Sequence, residues 1–279
     1  MRWRYTNLKE KILAKVEEMT GMDAFCIQID KEKKPSLTDS KLGGMPYWDL
    51  EQTYPVSLNG EKLMLLAQIN FSDLPPNDVF PTEGLLQFFV ACDDIYGANF
   101  DTPDIQGNFR VVFHRSIKPE VTVEMLSGLN IPVNDPEGDI ELPFSGEMAI
   151  LFEKKRISMG VEDYRYMEKV REAAKLLDEQ IPTETSAYGY LNDSEYEKEC
   201  KNVGHWLLGY PYFTQGDPRE YNENLQKYDT LLFQLDSEFS KENKYEIIWG
   251  DSGVANFFIS KEALSRCDFS EIMYTWDCC

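Results

Sequence analysis

Three short segments of this chain recur, in the same order, later in the chain. Gly44-Met45-Pro46-Tyr47 is answered by Gly209-Tyr210-Pro211-Tyr212. Leu65-Leu66-Ala67-Gln68-Ile69-Asn70 is answered by Leu231-Leu232-Phe233-Gln234-Leu235-Asp236, and Gly84-Leu85-Leu86-Gln87-Phe88-Phe89 by Gly253-Val254-Ala255-Asn256-Phe257-Phe258. The offset grows from 165 to 166 to 169 residues, a drift that small loop insertions explain. One such match arises by chance; three in order imply an internal duplication. The expectation is a single domain over 1–279 built of two related halves, approximately 40–156 and 205–279, linked by a helical segment at 160–182.

The repeated segments are strand-like, and more strands follow from short apolar runs between turn residues. They are expected at Leu63–Phe71, Gly84–Cys92, Phe109–Arg115, Glu147–Lys154, Thr230–Asp236, Tyr245–Trp249, Gly253–Ile259 and Ile272–Trp276. Leu8, Ile12, Val16 and Met19 form one stripe of an N-terminal helix that Thr6 or Asn7 would cap and Gly21 would stop. A polar connector then runs from about Asp30 to Gly43. Tyr164, Met167, Val170, Ala174, Leu177 and Ile181 predict a central amphipathic helix over about Glu162–Gln180, and Lys261–Cys267 a short one. The fold class read from this pattern is α+β, mainly β.

Charge narrows the partners. The 279 residues carry 28 Lys and Arg against 49 Asp and Glu, a net charge of −21. Such a surface repels nucleic acid and anionic lipid and attracts basic proteins. With 42% hydrophobic residues the chain has apolar surface enough to fold. No apolar run reaches the roughly 18 residues of a membrane span. The start, MRWRYTNLKEKILAKVEEM, does not read as a signal peptide, so a cytoplasmic location is expected. Cys26, Cys92, Cys200, Cys267, Cys278 and Cys279 show no C-x-x-C pair or zinc spacing and read as free thiols. Cys278-Cys279 resembles a prenylation signal but lacks a preceding basic segment.

Few motifs carry chemistry. Gly250-Asp251-Ser252-Gly253 copies the surroundings of a serine-protease nucleophile. Gly253, however, corresponds to Gly84, so the tetrapeptide reads as a turn in which glycine supplies a positive φ before a strand. The two histidines, His114 and His205, lack protease surroundings. Asp135-Pro136-Glu137-Gly138-Asp139-Ile140-Glu141 resembles the start of a calcium loop, but the twelfth position is Gly146 and not glutamate, leaving a solvated acidic loop. No P-loop, dinucleotide fingerprint, H-E-x-x-H or kinase motif occurs, and neither cofactor nor metal is expected.

One candidate site comes from the repeat itself. On the first repeated strand Leu65, Ala67, Ile69 and Phe71 are expected on one face, with Leu66, Gln68 and Asn70 on the other. On the second, Leu231, Phe233 and Leu235 oppose Leu232, Gln234 and Asp236. A half-exposed sheet explains this; so does a ligand-binding groove between the halves built from Gln68, Asn70, Gln234 and Asp236, joined by Asp251. Trp206, Tyr210, Tyr212 and Phe213 supply an aromatic face or core packing.

Taken together, GGMPY (43–47), LLAQINFSDLP (65–75), EGLLQFF (83–89), LLGYPYFTQGDPR (207–219), LLFQLDSE (231–238) and WGDSGVANFFISKEAL (249–264) resemble the bacterial YwqG-like family. That family is a domain of unknown function with no established catalytic residues. The resemblance implies a mainly β, roll-like architecture with a few helices. Its members' association with toxin and immunity genes implies a binding role, an immunity-type inhibitor of a basic protein toxin, which agrees with the acidity. The leading expectation is thus a binding protein with a basic protein as partner; the alternative is the small-molecule or enzymatic groove.

Overall fold

The computed structural model describes residues 2–30, 32–135, 137, 142–240 and 245–278. Twelve strands occur among them: β1 (Met22–Asp30), β2 (Lys41–Gly43), β3 (Met64–Asn70), β4 (Leu85–Val90), β5 (Phe109–His114), β6 (Glu147–Ile157), β7 (Trp206–Leu207), β8 (Thr230–Asp236), β9 (Glu238–Ser240), β10 (Tyr245–Ile247), β11 (Val254–Ile259) and β12 (Met273–Asp277). The helices are α1 (Arg2–Thr20), α2 (Val123–Ser127), α3 (Tyr166–Lys175), α4 (Ala187–Tyr190), α5 (Asp193–Glu199) and α6 (Lys261–Ser265). None is long and apolar enough to cross a membrane.

Ten strands form one antiparallel sheet in the order β12-β11-β8-β7-β1-β6-β2-β3-β4-β5, and β9 and β10 form a separate hairpin. The long pair β1–β6 is central, in register from Met22 opposite Ile157 to Asp30 opposite Ala149. Each side of it carries an arm of four strands. The arms curl toward each other: Phe88 of β4 packs on Phe233 and Phe257 with centroids 4.7 and 5.0 Å apart. Phe109 packs on Tyr274 at 5.2 Å. The Tyr274 amide donates to the Pro103 carbonyl at 2.8 Å, drawing β12 toward the segment before β5. The sheet is thereby a nearly closed roll filled by one apolar cluster. Each buried aromatic ring there contributes about 1.5–3 kcal/mol.

The outer faces are covered as well. Tyr47, Trp48 and Tyr54 cover Leu65, Leu85 and Phe89 on one arm; Phe213, Leu225 and Tyr228 cover Leu231, Phe258 and Met273 on the other. The repeated strands are therefore buried on both sides and not half-exposed. A β-bulge corrects the expected faces of β3. Leu65 pairs with Phe89 and Ala67 with Phe88, so the extra residue Leu66 turns into the interior with Ala67 and Ile69 while Leu65 faces outward.

Other boundaries shift for physical reasons. The first helix begins at Arg2, before the expected cap. The expected connector holds β2, and β1 precedes it. The central helix is shorter than 162–180. At its start Asp163 accepts the Arg165 amide at 3.0 Å, holding that stretch in a turn. At its end Asp178 adopts φ +59°. Most of the acidic loop 135–141 lies outside the described residues, Asp135 and Glu137 excepted, as does Cys279. Cys26, Cys200, Cys267 and Cys278 are free thiols.

Candidate functional site

Gln68 and Gln234, the centre of the expected groove, are fully buried. Gln68 Oε1 accepts the Tyr47 amide at 3.0 Å, and its Nε2 donates to the carbonyls of Leu37 and Asp39, both at 2.9 Å. Gln234 Oε1 accepts the Tyr212 amide at 2.8 Å, and its Nε2 donates to Asn202 and Gly204 at 2.8 and 2.7 Å. Next to them, Gln87 and Asn256 each donate to the carbonyl of that same tyrosine, at 2.7 and 2.9 Å. These amides bracket loops to the sheet. Neither glutamine has a group left for a ligand.

The remaining groove residues behave alike. Asn70 donates to Thr38 and accepts from Ser72. Asp236 accepts the amides of Gly204 and Ser237. Asp251 is exposed in a turn. Among the described residues no hydrogen bond joins the Gln68 set to the Gln234 set, and none of the five lines the hollows described below. Trp206 and Phe213 are core.

The GDSG segment is a turn: the amides of Ser252 and Gly253 both donate to the Trp249 carbonyl, at 3.1 and 2.7 Å. The reason for Gly253 differs from the expectation. Gly84 has φ +120°, but the positive φ in the second copy falls on Gly250 and Ser252. Gly253 is needed for close approach, since a Cβ there would lie 1.7 Å from the Asp277 carbonyl oxygen. Both histidines are engaged elsewhere. His114 donates from Nε2 to Gln87 Oε1 at 2.9 Å, and burial lowers its pKa to about 4. His205 accepts the Asp236 amide at Nδ1 and donates from Nε2 to Glu238 at 2.8 Å.

A different place has the character of a site. A cleft of about 580 Å³ opens between the start of α3, the segment 183–188 and the loops 214–217 and 220–221. Its floor is a buried charge network. Asp217 forms a fork with Arg219, Nε to Oδ1 at 2.9 Å and Nη2 to Oδ2 at 2.6 Å, and Arg219 Nη1 donates to the Tyr228 carbonyl at 2.9 Å. Asp163 forms the same fork with Arg165 at 2.8 and 2.6 Å. Its Oδ2 also lies 3.8 Å from Arg219 Nη2. Burial opposes ionisation of Asp163, but the bonds from Arg165 and the charges of Arg165 and Arg219 hold its carboxyl below the usual range. Arg219 is wholly buried, stacked 4.0 Å over the Phe258 ring.

The cleft walls are acidic and aromatic. Glu168, Glu184 and Glu220 are exposed carboxylates, and among the described residues none meets a cation within salt-bridge distance. Arg171, the one cation among the described residues of the cleft wall, donates to the carbonyls of Pro182, Thr183 and Thr185. Tyr188 and Tyr221 are 77% and 83% exposed, and Tyr188 stacks on Tyr196 at 4.3 Å. Glu162 lies deeper; burial pushes its carboxyl up, while it accepts from Cys200 Sγ at 3.2 Å. Burial and that bond push the Cys200 thiol up to about 12, which makes it unreactive. Among the described residues no three His, Cys, Asp or Glu side chains converge as a metal site.

Sequence reasoning missed this network, although a signal was present: Asp163-x-Arg165 and Asp217-x-Arg219 share one spacing, and in both the arginine folds back onto the aspartate two residues before it. A second hollow, of about 650 Å³, lies between β5 and residues 267–270 and mixes Arg110 and Arg115 with Asp49 and Asp268.

Fold and site together define a mainly β, rolled-sheet protein with an acidic surface cleft. A family model for a domain of unknown function (DUF1963) matches residues 40–278, and the chain belongs to that family. No curated protein matches it.

Proposed function

We propose that this is a binding protein for a basic protein partner, and that the acidic, tyrosine-walled cleft seats the partner's cationic side chains. The observation that carries the reading is the imbalance within the cleft: three exposed carboxylates and two exposed tyrosines, with the only cation among the described wall residues, Arg171, already engaged by carbonyls. Carboxylates and ring faces are the two groups that attract ammonium and guanidinium. The net charge of −21 adds long-range steering toward a basic protein. Inhibition of a basic protein toxin, in the manner of an immunity protein, is the use of such binding that the YwqG-like resemblance implies. We also propose that the two arms descend from one duplicated unit; the matching brackets of Gln68 and Gln234 support this.

The test uses a fluorescent arginine-rich peptide and anisotropy across a salt series. The triple variant E168Q/E184Q/E220Q should bind about tenfold more weakly and with a shallower salt dependence. A control triple variant at exposed carboxylates elsewhere, E83Q/E120Q/E246Q, changes the net charge equally. Equal losses in both would sink the cleft and leave only diffuse charge attraction.

A further inference from the structure

β5 is the last strand of the ten-stranded sheet: one of its sides pairs with β4, and the other pairs with no strand among the described residues. The Val111 amide donates to Gln106 Oε1 at 2.7 Å, so it points away from β4. Alternation along the strand then turns the N–H and C=O groups of Val111 and Phe113 to the same free side. Among the described residues no hydrogen bond reaches the Val111 carbonyl or either main-chain group of Phe113 on that side. The hollow of about 650 Å³ runs along this edge, with residues 110–116 lining it without a break on one side and 267–270 on the other.

Gln106 shows what the slot between these walls accepts. While its Oε1 takes the Val111 amide, its Nε2 donates to the carbonyls of Phe269 and Ser270 at 3.1 and 2.9 Å. One planar amide is thus bonded to both walls, as a peptide group of an added strand would be. The rings of Phe113 and Phe269, 5.3 Å apart, join the walls beyond it.

Charge selects the occupant. Arg110 and Arg115 stand at the two ends of this edge, and among the described residues neither lies within salt-bridge distance of a carboxylate. The two aspartates of the hollow are already bonded: Asp49 to Lys118 at 2.8 Å, and Asp268 to the amide and hydroxyl of Ser270 at 3.1 and 2.6 Å. An open edge is a template for an extended chain, and a guanidinium pairs best with a carboxylate.

We propose that the free edge of β5 is a docking site for an extended, carboxylate-bearing segment of another protein, which adds to the sheet as a further strand. Main-chain bonds to Val111 and Phe113 hold its backbone, and its acidic side chains meet Arg110 and Arg115. At physiological salt charges farther than about 8 Å are largely screened, so a docked segment meets chiefly the groups of the edge and not the overall charge of −21. The hollow shares no residue with the acidic cleft and does not rest on the reading of that cleft.

The probe is a fluorescent hexapeptide of alternating valine and threonine with a glutamate at each end, followed by anisotropy at physiological salt. Saturable binding is expected. It should be about tenfold weaker when glutamine replaces the glutamates, and about tenfold weaker in the variant R110Q/R115Q. N-methylation of one alternate set of peptide amides should abolish binding, and of the other set should change it by less than about threefold, because only one set faces β5. The bound peptide should also slow hydrogen exchange of the Phe113 amide at least about tenfold. E168Q/E184Q/E220Q should not weaken binding of this peptide. No saturation, equal losses from the two methylated sets, undiminished binding of the glutamine peptide, or unchanged exchange at Phe113 would overturn the proposal. So would self-association that protects the Phe113 amide without peptide, which would assign the edge to a second copy of the chain.

Discussion

Replacing Arg219 by methionine tests the buried network on which the cleft stands. Arg219 is wholly buried, its fork closes on Asp217 at 2.9 and 2.6 Å, and it holds the Tyr228 carbonyl. Removing the cation strands the Asp217 carboxylate, which is itself buried, and weakens the support of Asp163. Breaking a buried pair from one side costs about 3–5 kcal/mol. For a chain of this size that is a fall in Tm of roughly 6–20 °C. The double variant Asp217→Asn/Arg219→Met removes the charge from both sides and should recover at least half of the loss.

The pH dependence adds a sign. In the native protein Asp163 has a lowered pKa, so its contribution is present above the unfolded pKa and is lost as pH falls through the lower folded value. In Arg219→Met the stranded carboxyl has a raised folded pKa, and the penalty shrinks as pH falls from 8 toward 5, where protonation becomes accessible. Urea denaturation at pH 8 and pH 5 reads both effects. A single variant within about 1 kcal/mol of the native protein, or a double variant as unstable as the single, would refute the reasoning.

Further outcomes follow from the same geometry. Gln234→Leu leaves one backbone amide and two carbonyls without their partner and should cost about 3 kcal/mol or more in urea denaturation; a neutral result would mean the bracket is dispensable. Gly253→Ala places a methyl carbon 1.7 Å from the Asp277 carbonyl and should abolish folding or the β11–β12 pairing, whereas Ser252→Gly relieves a residue at φ +104° and should raise Tm slightly. A serine-directed fluorophosphonate should leave Ser252 unlabelled, because it lies in a turn and both histidines are engaged elsewhere; labelling at Ser252 would refute the turn reading. Cys200, with its thiol pushed up to about 12, should react with iodoacetamide at pH 8 far more slowly than a free thiol in solution; comparable rates, followed by peptide mapping, would place it in a different environment.

The repeated strands were the most legible part of the chain. β8 begins and ends at Thr230 and Asp236 as expected, although a bulge at Leu232 turns that residue inward with Phe233 and Leu235 and leaves Leu231 outward, against the expected alternation, and β3, β4 and β11 fall within the expected runs. β1 was hidden because its apolar centre, Phe25-Cys26-Ile27, is flanked by Asp23, Gln28 and Asp30 and reads as the start of a polar connector. β7 has two residues, too few for any period. Double-sided burial cannot be read from one strand, because the residues that cover the outer faces, Trp48 and Tyr228 among them, come from loops. The groove residues meet a related limit. A glutamine on a strand shows that an amide needs partners, but only the fold reveals that those partners are the protein's own backbone groups.

The placement of the network explains how a loop as open as 214–217 can hold one shape at the rim of the acidic cleft. Asp217 accepts the Arg219 amide at 3.0 Å as well as its guanidinium, so the segment leaving the loop begins as a short 3-10 helix anchored in the core. At the other end Asp277 holds the amides of Thr214 and Gln215. The loop is thus tied at both ends by carboxylates, Asp217 through the amide and guanidinium of Arg219 and Asp277 through the amides of Thr214 and Gln215, and these two ties fix the rim of the acidic cleft.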